Sequence, residues 1–256
     1  MTIDTKKNQD NDGQPQMSVV VPVYNEIDNI PPLVNEIVNA LEGRFAYEMV
    51  YVDDGSTDGT VKLLEEIGLG IPALRVVCHD GNFGQSAAMA TGIKHARGRI
   101  IATLDGDGQN DPADIPNLAE VLIQAGEPAM DAILVVGRRR KRRDSWVRRV
   151  SSRLANGVRA RLLKDNTPDT GSGLKVFTRR LFMDLPRFDH MHRFLPALVM
   201  RNNGTVMSID VNHRERLRGK SKYGISNRLW VGIVDLIGVM WLQRRPNCPD
   251  IKKRLD

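Results

Sequence analysis

Two acidic residues stand close together directly after an apolar, strand-like run. Asp105 and Asp107 are separated by Gly106, and Gln109 follows after a second glycine. Carboxylate and amide oxygens at this spacing suit Mg²⁺ or Mn²⁺ shared with the phosphates of a substrate. The alternative is a turn in which the aspartate side chains accept hydrogen bonds from backbone N–H groups. A lone Asp-x-Asp pattern would favour the turn, but four further clusters reverse that preference.

Each of these further clusters also follows a strand-like run. They are Pro22-Val-Tyr24-Asn-Glu26, Asp53-Asp54-Gly-Ser56, Gly81-Asn-Phe-Gly84-Gln85, and Gly137 with the arginines after it. In an open α/β sheet, ligands bind outside the carboxyl ends of the strands. We therefore expect all five clusters to face one crevice. Taken alone, Asp53-Asp54 fits contacts to a nucleoside and a simple strand-to-helix turn equally well.

The elements that must position these clusters alternate between two sequence periods. A β-branched run predicts a buried strand at 17–23, and a one-sided apolar pattern predicts a helix at 30–41. The alternation continues with predicted strands at 47–52, 74–79, 99–104 and 132–136 and helices at 58–67, 85–96 and 115–124. Crossovers of this length predict a doubly wound, mostly parallel α/β sheet in a single domain. The second half is less regular, with a helix predicted at 145–163, short strands at 174–177 and 206–211, and an apolar segment at 229–242.

Composition and charge exclude several classes of protein. The 256 residues are 41% apolar and 27% charged, an ordinary globular balance, and the two cysteines form no Cys-x-x-Cys pair, so we expect a reduced, cytoplasmic setting. The polar residues 1–16 predict a disordered tail without a secretory signal. The sequence contains no complete G-x-G-x-x-G, P-loop or G-x-S-x-G motif. Their absence argues against a dinucleotide-binding site, a P-loop nucleotide site and an α/β-hydrolase nucleophile. His190 and His192 lack partners at zinc spacing, so we expect satisfied or solvated histidines.

The motifs together resemble the inverting family 2 glycosyltransferases of the GT-A fold. PVYNE, DDGSTDGT, NFGQSAAMATG and DGDGQNDP occur in the order that is typical of this family. Three further segments look like its D-x-x-S-G-F, R-F and R-x-x-G-x-S-K-Y motifs: Asp169 to Phe177, His192 to Pro196, and Arg216 to Tyr223. That set is typical of the polyprenyl-phosphate, dolichol-phosphate mannose synthase-like branch. The resemblance covers about residues 17–225, which we expect to form one GT-A domain.

Some positions depart from the family pattern. Bulkier residues often stand where this chain has Gly106 and Gly108. The usual G-S-R reads Gly137-Arg138-Arg139, which places Arg139 on the family arginine. The Q-x-x-R-W motif of processive polysaccharide synthases is absent from the sequence.

The resemblance implies a reaction and assigns residues to it. We expect a UDP- or GDP-linked sugar as donor, a polyprenyl (undecaprenyl- or dolichyl-type) phosphate as acceptor, inversion, and a Mg²⁺ or Mn²⁺ cofactor. It assigns the nucleotide sugar to Pro22, Tyr24, Glu26, Asp53, Asp54, Gln85, Asp105 and Gly106, and the metal to Asp105, Asp107 and Gln109. It assigns the acceptor phosphate to Arg139, Ser172, Arg216, Ser221 and Lys222, and catalysis to Asp107, Arg139, Arg216 and Lys222.

Two other functions stay open at this point. A related transferase of cell-envelope glycan synthesis would use a sugar or glycolipid hydroxyl, which needs a general base. A phosphate acceptor needs none, since its second pKa of about 6 leaves it mostly dianionic at pH 7. A basic nucleic-acid-binding protein is the non-enzyme alternative. We expect no nucleic-acid partner, because the basic run lacks interleaved aromatic residues and the aspartates would repel nucleic-acid phosphates.

Two segments point to an anionic membrane surface. Residues 138–149 hold eight basic residues and one acid, a local charge of +7 in a chain whose net charge is +6. Residues 226–256 combine the apolar segment 229–242 with a basic tail, and Trp230 and Trp241 stand near the ends of that segment. As a helix the segment would reach roughly 21 Å, short of the roughly 30 Å hydrocarbon core. We expect a peripheral position on the inner face of the membrane, with a core or dimer-interface helix as the alternative.

Overall fold

The computed structural model describes residues 14–139, 161–163, 171–214 and 226–245. Its strands are β1 (Met17–Val23), β2 (Tyr47–Asp53), β3 (Leu74–Cys78), β4 (Ile100–Thr103), β5 (Ile133–Arg139), β6 (Lys175–Thr178) and β7 (Thr205–Val211). They form one sheet in the order β3-β2-β1-β4-β6-β5-β7. β6 runs antiparallel between β4 and β5, and the other neighbouring strands are parallel. The carboxyl ends of β1 to β5 therefore lie along one edge.

Helices cover both faces of the sheet. They are α1 (Ile30–Leu41), α2 (Thr60–Gly68), α3 (Gln85–His95), α4 (Ile115–Gln124), α5 (Arg179–Met183), α6 (Leu195–Arg201) and α7 (Ser226–Gln243). The core under α1, α2 and α4 contains Val19 and Val21, whereas Val20 belongs to the core under α3, α5, α6 and α7. This alternation along β1 is the pattern of a strand that is buried on both faces. The predicted mostly parallel α/β architecture is confirmed.

The predicted elements of the first half agree with the structure to within about two residues, apart from the end of β5. The four-residue strand β6 was predicted as a strand, but its antiparallel insertion into the sheet was not. The short helices α5 and α6 were not predicted either. Of the helix predicted at 145–163, only residues 161–163 are described, and these are helical. The rest of that segment lies outside the described residues.

A buried carboxylate ties the sheet together at the edge opposite the polar clusters. Glu48 Oε1 accepts hydrogen bonds from Ser18 Oγ and from the backbone N–H of Arg97, both at 2.6 Å. Arg75 Nη1 donates to Oε2 at 2.7 Å. Burial alone raises the pKa of Glu48, but these hydrogen bonds outweigh burial and lower it below its ordinary value. This cluster joins β1, β2 and β3 to the end of α3.

The C-terminal helix α7 packs on α6 with one side only. Val239 is fully buried, and Arg201 on α6 donates from Nε to Leu242 O at 2.8 Å. The opposite side carries exposed apolar residues, namely Ile233, Val234, Ile237 and Trp241. No helix within the described residues has the length and apolar character needed to cross a membrane.

Candidate active site

The Asp105 carboxylate lies at the centre of the carboxyl edge of the sheet. Gln85, the first residue of α3, donates from Nε2 to Asp105 Oδ1 at 2.7 Å. On the other side the carboxylate rests against the backbone of Gly173, where any Cβ would overlap it. Burial and, to a smaller extent, the charge of Asp107 together raise the pKa of Asp105 to about 6, against the opposing effects of Lys175, Gln85 and Arg139. Two carboxylates are therefore held together in a half-buried position.

The turn after Asp105 is shaped by its glycines. A Cβ on Gly106 would stand 2.7 Å from Val23 Cγ1 and 3.0 Å from Pro22 O, so only glycine fits against β1. Gly108 has a φ of +71°, a conformation that favours glycine. Asp107 Oδ1 accepts a hydrogen bond from Gln109 N at 3.1 Å. The turn that the sequence offered as the alternative to a metal site is therefore present in part, because Asp107 Oδ1 closes it.

The residues of this turn fit a hard divalent cation. Asp105, Asp107 and Gln109 supply carboxylate and amide oxygens, which Mg²⁺ and Mn²⁺ prefer. Burial and the nearby charge of Asp107 both disfavour the ionised form of Asp105, and a cation bound here would offset both effects. Among the described residues, no group of three His, Cys, Asp or Glu side chains is arranged to hold a metal ion. A metal here would need the amide of Gln109, water or substrate oxygens to complete its ligands.

Asp53 and Asp54 turn out to play different structural roles. Asp53 Oδ2 accepts from the backbone N–H groups of Gly55 at 3.1 Å and Ser56 at 2.9 Å. Its Oδ1 is buried without a hydrogen-bond partner among the described residues. Asp54 instead accepts from the backbone N–H groups of Phe83 at 3.0 Å and Gly84 at 2.7 Å. Asp54 therefore anchors the loop that leads into α3, a role not predicted from its sequence.

The loop after β1 is bound to the loop after β2. Asn25 Oδ1 accepts from Thr57 N at 2.6 Å, and Asn25 N donates to Ser56 Oγ at 2.7 Å. Glu26 Oε2 accepts from Asn29 Nδ2 at 2.6 Å. Of the predicted nucleotide-binding residues in this loop, Pro22 lies at the end of β1 beside Gly106, and Tyr24 and Glu26 are half-buried.

Cationic and polar groups border Asp105 on the side of β5 and β6. Lys175 is 4% exposed and donates from Nζ to Ser172 O. The Ser172 hydroxyl is buried without a partner in the part of the chain that the structure describes. Arg139 ends β5, and its charge acts on Asp105. Of the predicted acceptor residues, the structure therefore brings Arg139 and Ser172 to the site.

Lys175 lies beside the site but is not among the predicted site residues. Lys175 belongs to the segment that looks like the D-x-x-S-G-F motif. A lysine in a short, buried strand is a sequence signal for a functional residue. For His192 the sequence predicts a satisfied or solvated histidine, and the structure agrees with the first of these. Its Nδ1 lies 2.7 Å from Ser86 Oγ, at the start of α3. Burial and, to a smaller extent, the charge of Lys175 lower the pKa of His192 to about 3, so its ring is neutral at pH 7.

The remaining predicted residues lie outside the described part of the chain. These are Arg216, Ser221 and Lys222, together with all of the basic run beyond Arg139. Arg214, two positions before Arg216, is described and is tied to the turn after β4. Its backbone N–H donates to Gln109 O at 3.1 Å.

Comparison with known proteins identifies related chains. The family model for glycosyl transferase family 2 matches residues 18–185. A dodecaprenyl-phosphate galacturonate synthase from Rhizobium johnstonii is 39% identical over 234 residues, which cover 90% of this chain and 68% of the relative. An undecaprenyl-phosphate 4-deoxy-4-formamido-L-arabinose transferase from Edwardsiella ictaluri is 35% identical over 212 residues, covering 82% of this chain and 63% of the relative. The chain thus spans about two thirds of the length of these relatives.

Solved structures share the fold at lower sequence identity. A mannosyltransferase from Pyrobaculum calidifontis in complex with GDP-Man and Mn²⁺ matches with a TM-score of 0.63 and 21% identity, over 92% of this chain and 66% of that chain. Glucosyl-3-phosphoglycerate synthase from Mycobacterium tuberculosis, in complex with Mn²⁺, UDP-Glc and phosphoglyceric acid, matches with a TM-score of 0.65 and 20% identity, over 92% of this chain and 81% of that chain.

Proposed function

The chain belongs to glycosyl transferase family 2, and on that premise we propose that it transfers a sugar from a nucleotide diphosphate sugar to a polyprenyl phosphate with inversion. The predicted family and GT-A fold are confirmed. The observation that carries the proposal is the carboxylate pair Asp105 and Asp107 at the carboxyl edge, bordered by Lys175 and Arg139. Such a site suits two phosphate-bearing substrates that meet at one carbon. The names of the two curated relatives support a polyprenyl phosphate as acceptor.

The Asp53 carboxylate supports a nucleotide sugar whose base carries a ring N–H. Its Oδ1 is buried and has no partner among the described residues, while Oδ2 is held by Gly55 and Ser56. A buried carboxylate oxygen of this kind gains a hydrogen bond when an N–H group of a ligand reaches it. Uracil and guanine each present a ring N–H beside a carbonyl group. We therefore assign Asp53 to the base of a UDP- or GDP-linked sugar.

Asp105, Asp107 and Gln109 would hold the Mg²⁺ or Mn²⁺. When bound, such an ion neutralises the charge that develops on the departing nucleotide diphosphate. Gln85 keeps Asp105 in place by its hydrogen bond at 2.7 Å. The Gly81–Gly84 loop, anchored by Asp54, fixes the position at which Gln85 begins α3.

The acceptor phosphate needs orientation and no general base. It is already mostly dianionic at pH 7, since its second pKa is about 6. Arg139 and the buried Ser172 hydroxyl supply a charge and a hydrogen-bond donor on one side of Asp105. Arg216, Ser221 and Lys222 are assigned to the same phosphate on their motif alone. Attack in line with the leaving diphosphate then inverts the anomeric carbon.

We also propose that the exposed side of α7 lies on the inner face of an anionic membrane. Ile233, Ile237 and Trp241 are spaced four residues apart and form one apolar stripe. The Arg245 guanidinium lies 5.9 Å from the centre of the Trp241 ring, and Arg244 and Arg245 are exposed beside it. Apolar residues bordered by arginines fit the boundary between acyl chains and anionic headgroups. The other side of α7 packs on α6, so a packed face and the proposed membrane-facing side can belong to one helix.

A transfer assay tests the proposed function. Wild-type protein is incubated with labelled UDP- and GDP-sugars, Mn²⁺ and a polyprenyl phosphate in anionic vesicles. We expect label in an organic-soluble product that mild acid releases, as a glycosyl phosphate requires. Asp107→Asn should abolish this transfer and the metal dependence of nucleotide binding, with little loss of stability, because Asp107 is half-buried and repels Asp105.

Three outcomes would contradict this proposal. An acid-stable lipid product would indicate a hydroxyl acceptor. Full activity in excess chelator, or in Asp107→Asn, would rule out the metal assignment. No transfer to any lipid, combined with salt-sensitive retention on DNA, would favour the nucleic-acid alternative.

A further inference from the structure

Arg214 joins the end of β7 to the turn that follows β4. Its backbone N–H donates to Gln109 O at 3.1 Å, and Nη2 donates to Asp111 Oδ1 at 3.0 Å and to Asn110 O at 3.4 Å. The side chain of Asn110 in turn accepts a hydrogen bond from Asp105 N at 3.2 Å. The turn of residues 105–111 is therefore held from inside by Asn110 and from outside by Arg214.

A carboxylate on α1 fixes the direction of the Arg214 guanidinium. Glu36 Oε1 accepts from Nη1 at 2.7 Å, and Oε2 accepts from Nη2 at 3.0 Å. This two-point pairing adds geometric specificity that a single contact lacks. The two side chains are 34% and 37% exposed. Ion pairs this exposed contribute only about 0–1 kcal/mol to stability, so the pair matters chiefly for geometry.

We propose that Arg214 is a positioning residue that keeps the 105–111 turn in its metal-binding shape. The inference rests on the proposed function, because it assumes that Asp105, Asp107 and Gln109 bind the metal. The guanidinium of Arg214 holds the turn through Asn110 O and the Asp111 carboxylate, and its backbone N–H adds the bond to Gln109 O. Partners of this outer kind commonly change metal affinity by about 10- to 100-fold when they are removed.

The test measures metal binding directly. Mn²⁺ is titrated into the full chain with saturating UDP or GDP, and free Mn²⁺ is read by its paramagnetic resonance signal. We expect Arg214→Met to raise the Mn²⁺ dissociation constant about 10-fold with a nearly unchanged melting temperature. Glu36→Gln should raise it less, and adding it to Arg214→Met should have no further effect, since both changes break the same pair. Arg214→Lys should restore part of the affinity.

Arg99→Met is the matched control. Arg99 is also a half-exposed arginine that pairs with two acids, Glu127 and Asp131, but it lies at the opposite edge of the sheet. Its replacement should leave Mn²⁺ binding unchanged.

The possible failures are distinguishable. If wild-type protein binds no Mn²⁺ with either nucleotide, the metal requirement of the proposed function is wrong, and this inference falls with it. If wild-type protein binds Mn²⁺ and Arg214→Met binds it equally well, only the role of Arg214 is wrong. A change confined to the KM for the acceptor, or an equal loss of affinity in Arg99→Met, would also overturn that role.

Discussion

Adding one methyl group at Gly173 should test whether a change in the shape of the site impairs binding and turnover independently of the stability of the fold. The Asp105 carboxylate lies directly on the Gly173 backbone. A Cβ at this position would stand 2.5 Å from Asp105 Oδ1 and closer still to Cγ and Oδ2. Gly173 O also accepts from Thr103 Oγ1 at 2.8 Å, which limits how far the backbone can retreat. Gly173→Ala must therefore displace the carboxylate.

The size of the displacement sets the expected effect. Ordinary van der Waals contact with a Cβ begins at 3.4 Å, so Oδ1 must move about 0.9 Å or more. Such a shift breaks the 2.7 Å hydrogen bond from Gln85. A misplacement of about 1 Å can cost a hundredfold in rate, or about 2.7 kcal/mol of transition-state stabilisation. We expect kcat/KM to fall about 100-fold and Mn²⁺-dependent nucleotide binding to weaken by at least tenfold, as the loss of well-placed ligands does.

Gly98→Ala is the control for the steric cost alone. A Cβ on Gly98 would stand 2.6 Å from Met17 C and 2.7 Å from Ser18 N, at the opposite edge of the sheet. Overpacking of this kind costs about 1–3 kcal/mol of stability. Thermal unfolding and calorimetric titration of Mn²⁺ with UDP or GDP are measured for both variants. Gly98→Ala should melt earlier and bind normally once folded, whereas Gly173→Ala should bind poorly. If Gly173→Ala binds and turns over like wild-type protein, Asp105 is not the residue that holds the metal.

Two further predictions concern stability and the membrane. Replacing Glu48 by Gln should lower the free energy of unfolding by about 1–3 kcal/mol at pH 7, because a charged acceptor of three hydrogen bonds is lost. Since folding lowers the pKa of Glu48, its contribution is present above the unfolded pKa of about 4.3 and is lost as the pH falls through the folded pKa. Urea unfolding at pH 7 and in this acidic range should therefore show a difference from wild type that shrinks with acid, and an equal difference at both pH values would contradict the assignment. Ile237→Ser combined with Trp241→Ser should weaken flotation with anionic vesicles by at least tenfold, about 1.4 kcal/mol, whereas Leu69→Ser, at a position 90% exposed elsewhere, should not. Equal flotation of both variants would show that α7 does not meet the membrane.

The regular part of the fold could be predicted because its signals are local. The run at 17–23 and the one-sided apolar pattern at 30–41 each specify an element from neighbouring residues alone. The direction of β6 is set by partners that are remote in sequence: Lys175 pairs with Thr103 on one side and Val136 on the other. A strand of only four residues carries no information about such partners, so its antiparallel insertion could not be predicted.

The site could be predicted in location more readily than in detail. Polar clusters after successive strands located the crevice, because parallel strands bring their carboxyl ends to one edge. The role of Asp54 was hidden, since a carboxylate accepts from a ligand and from the Phe83 and Gly84 backbone in the same way. The need for glycine at 173 was hidden too, because the atoms it must clear belong to Asp105, which is 68 positions earlier in the sequence.

The acidic residues of the carboxyl edge divide into two groups by what stabilises their charge. Asp54 accepts hydrogen bonds from backbone N–H groups of one loop, so its charge is stabilised by the chain itself. Asp105 receives one amide hydrogen bond from Gln85, and burial and Asp107 both raise its pKa to about 6. Because burial and Asp107 disfavour the charged form of Asp105, this carboxylate gains most from an added cation. The Asp-Asp pattern thus anchors a loop at one strand end, whereas the Asp-x-Asp pattern forms the proposed metal site at another, and the difference lies in the backbone donors around them.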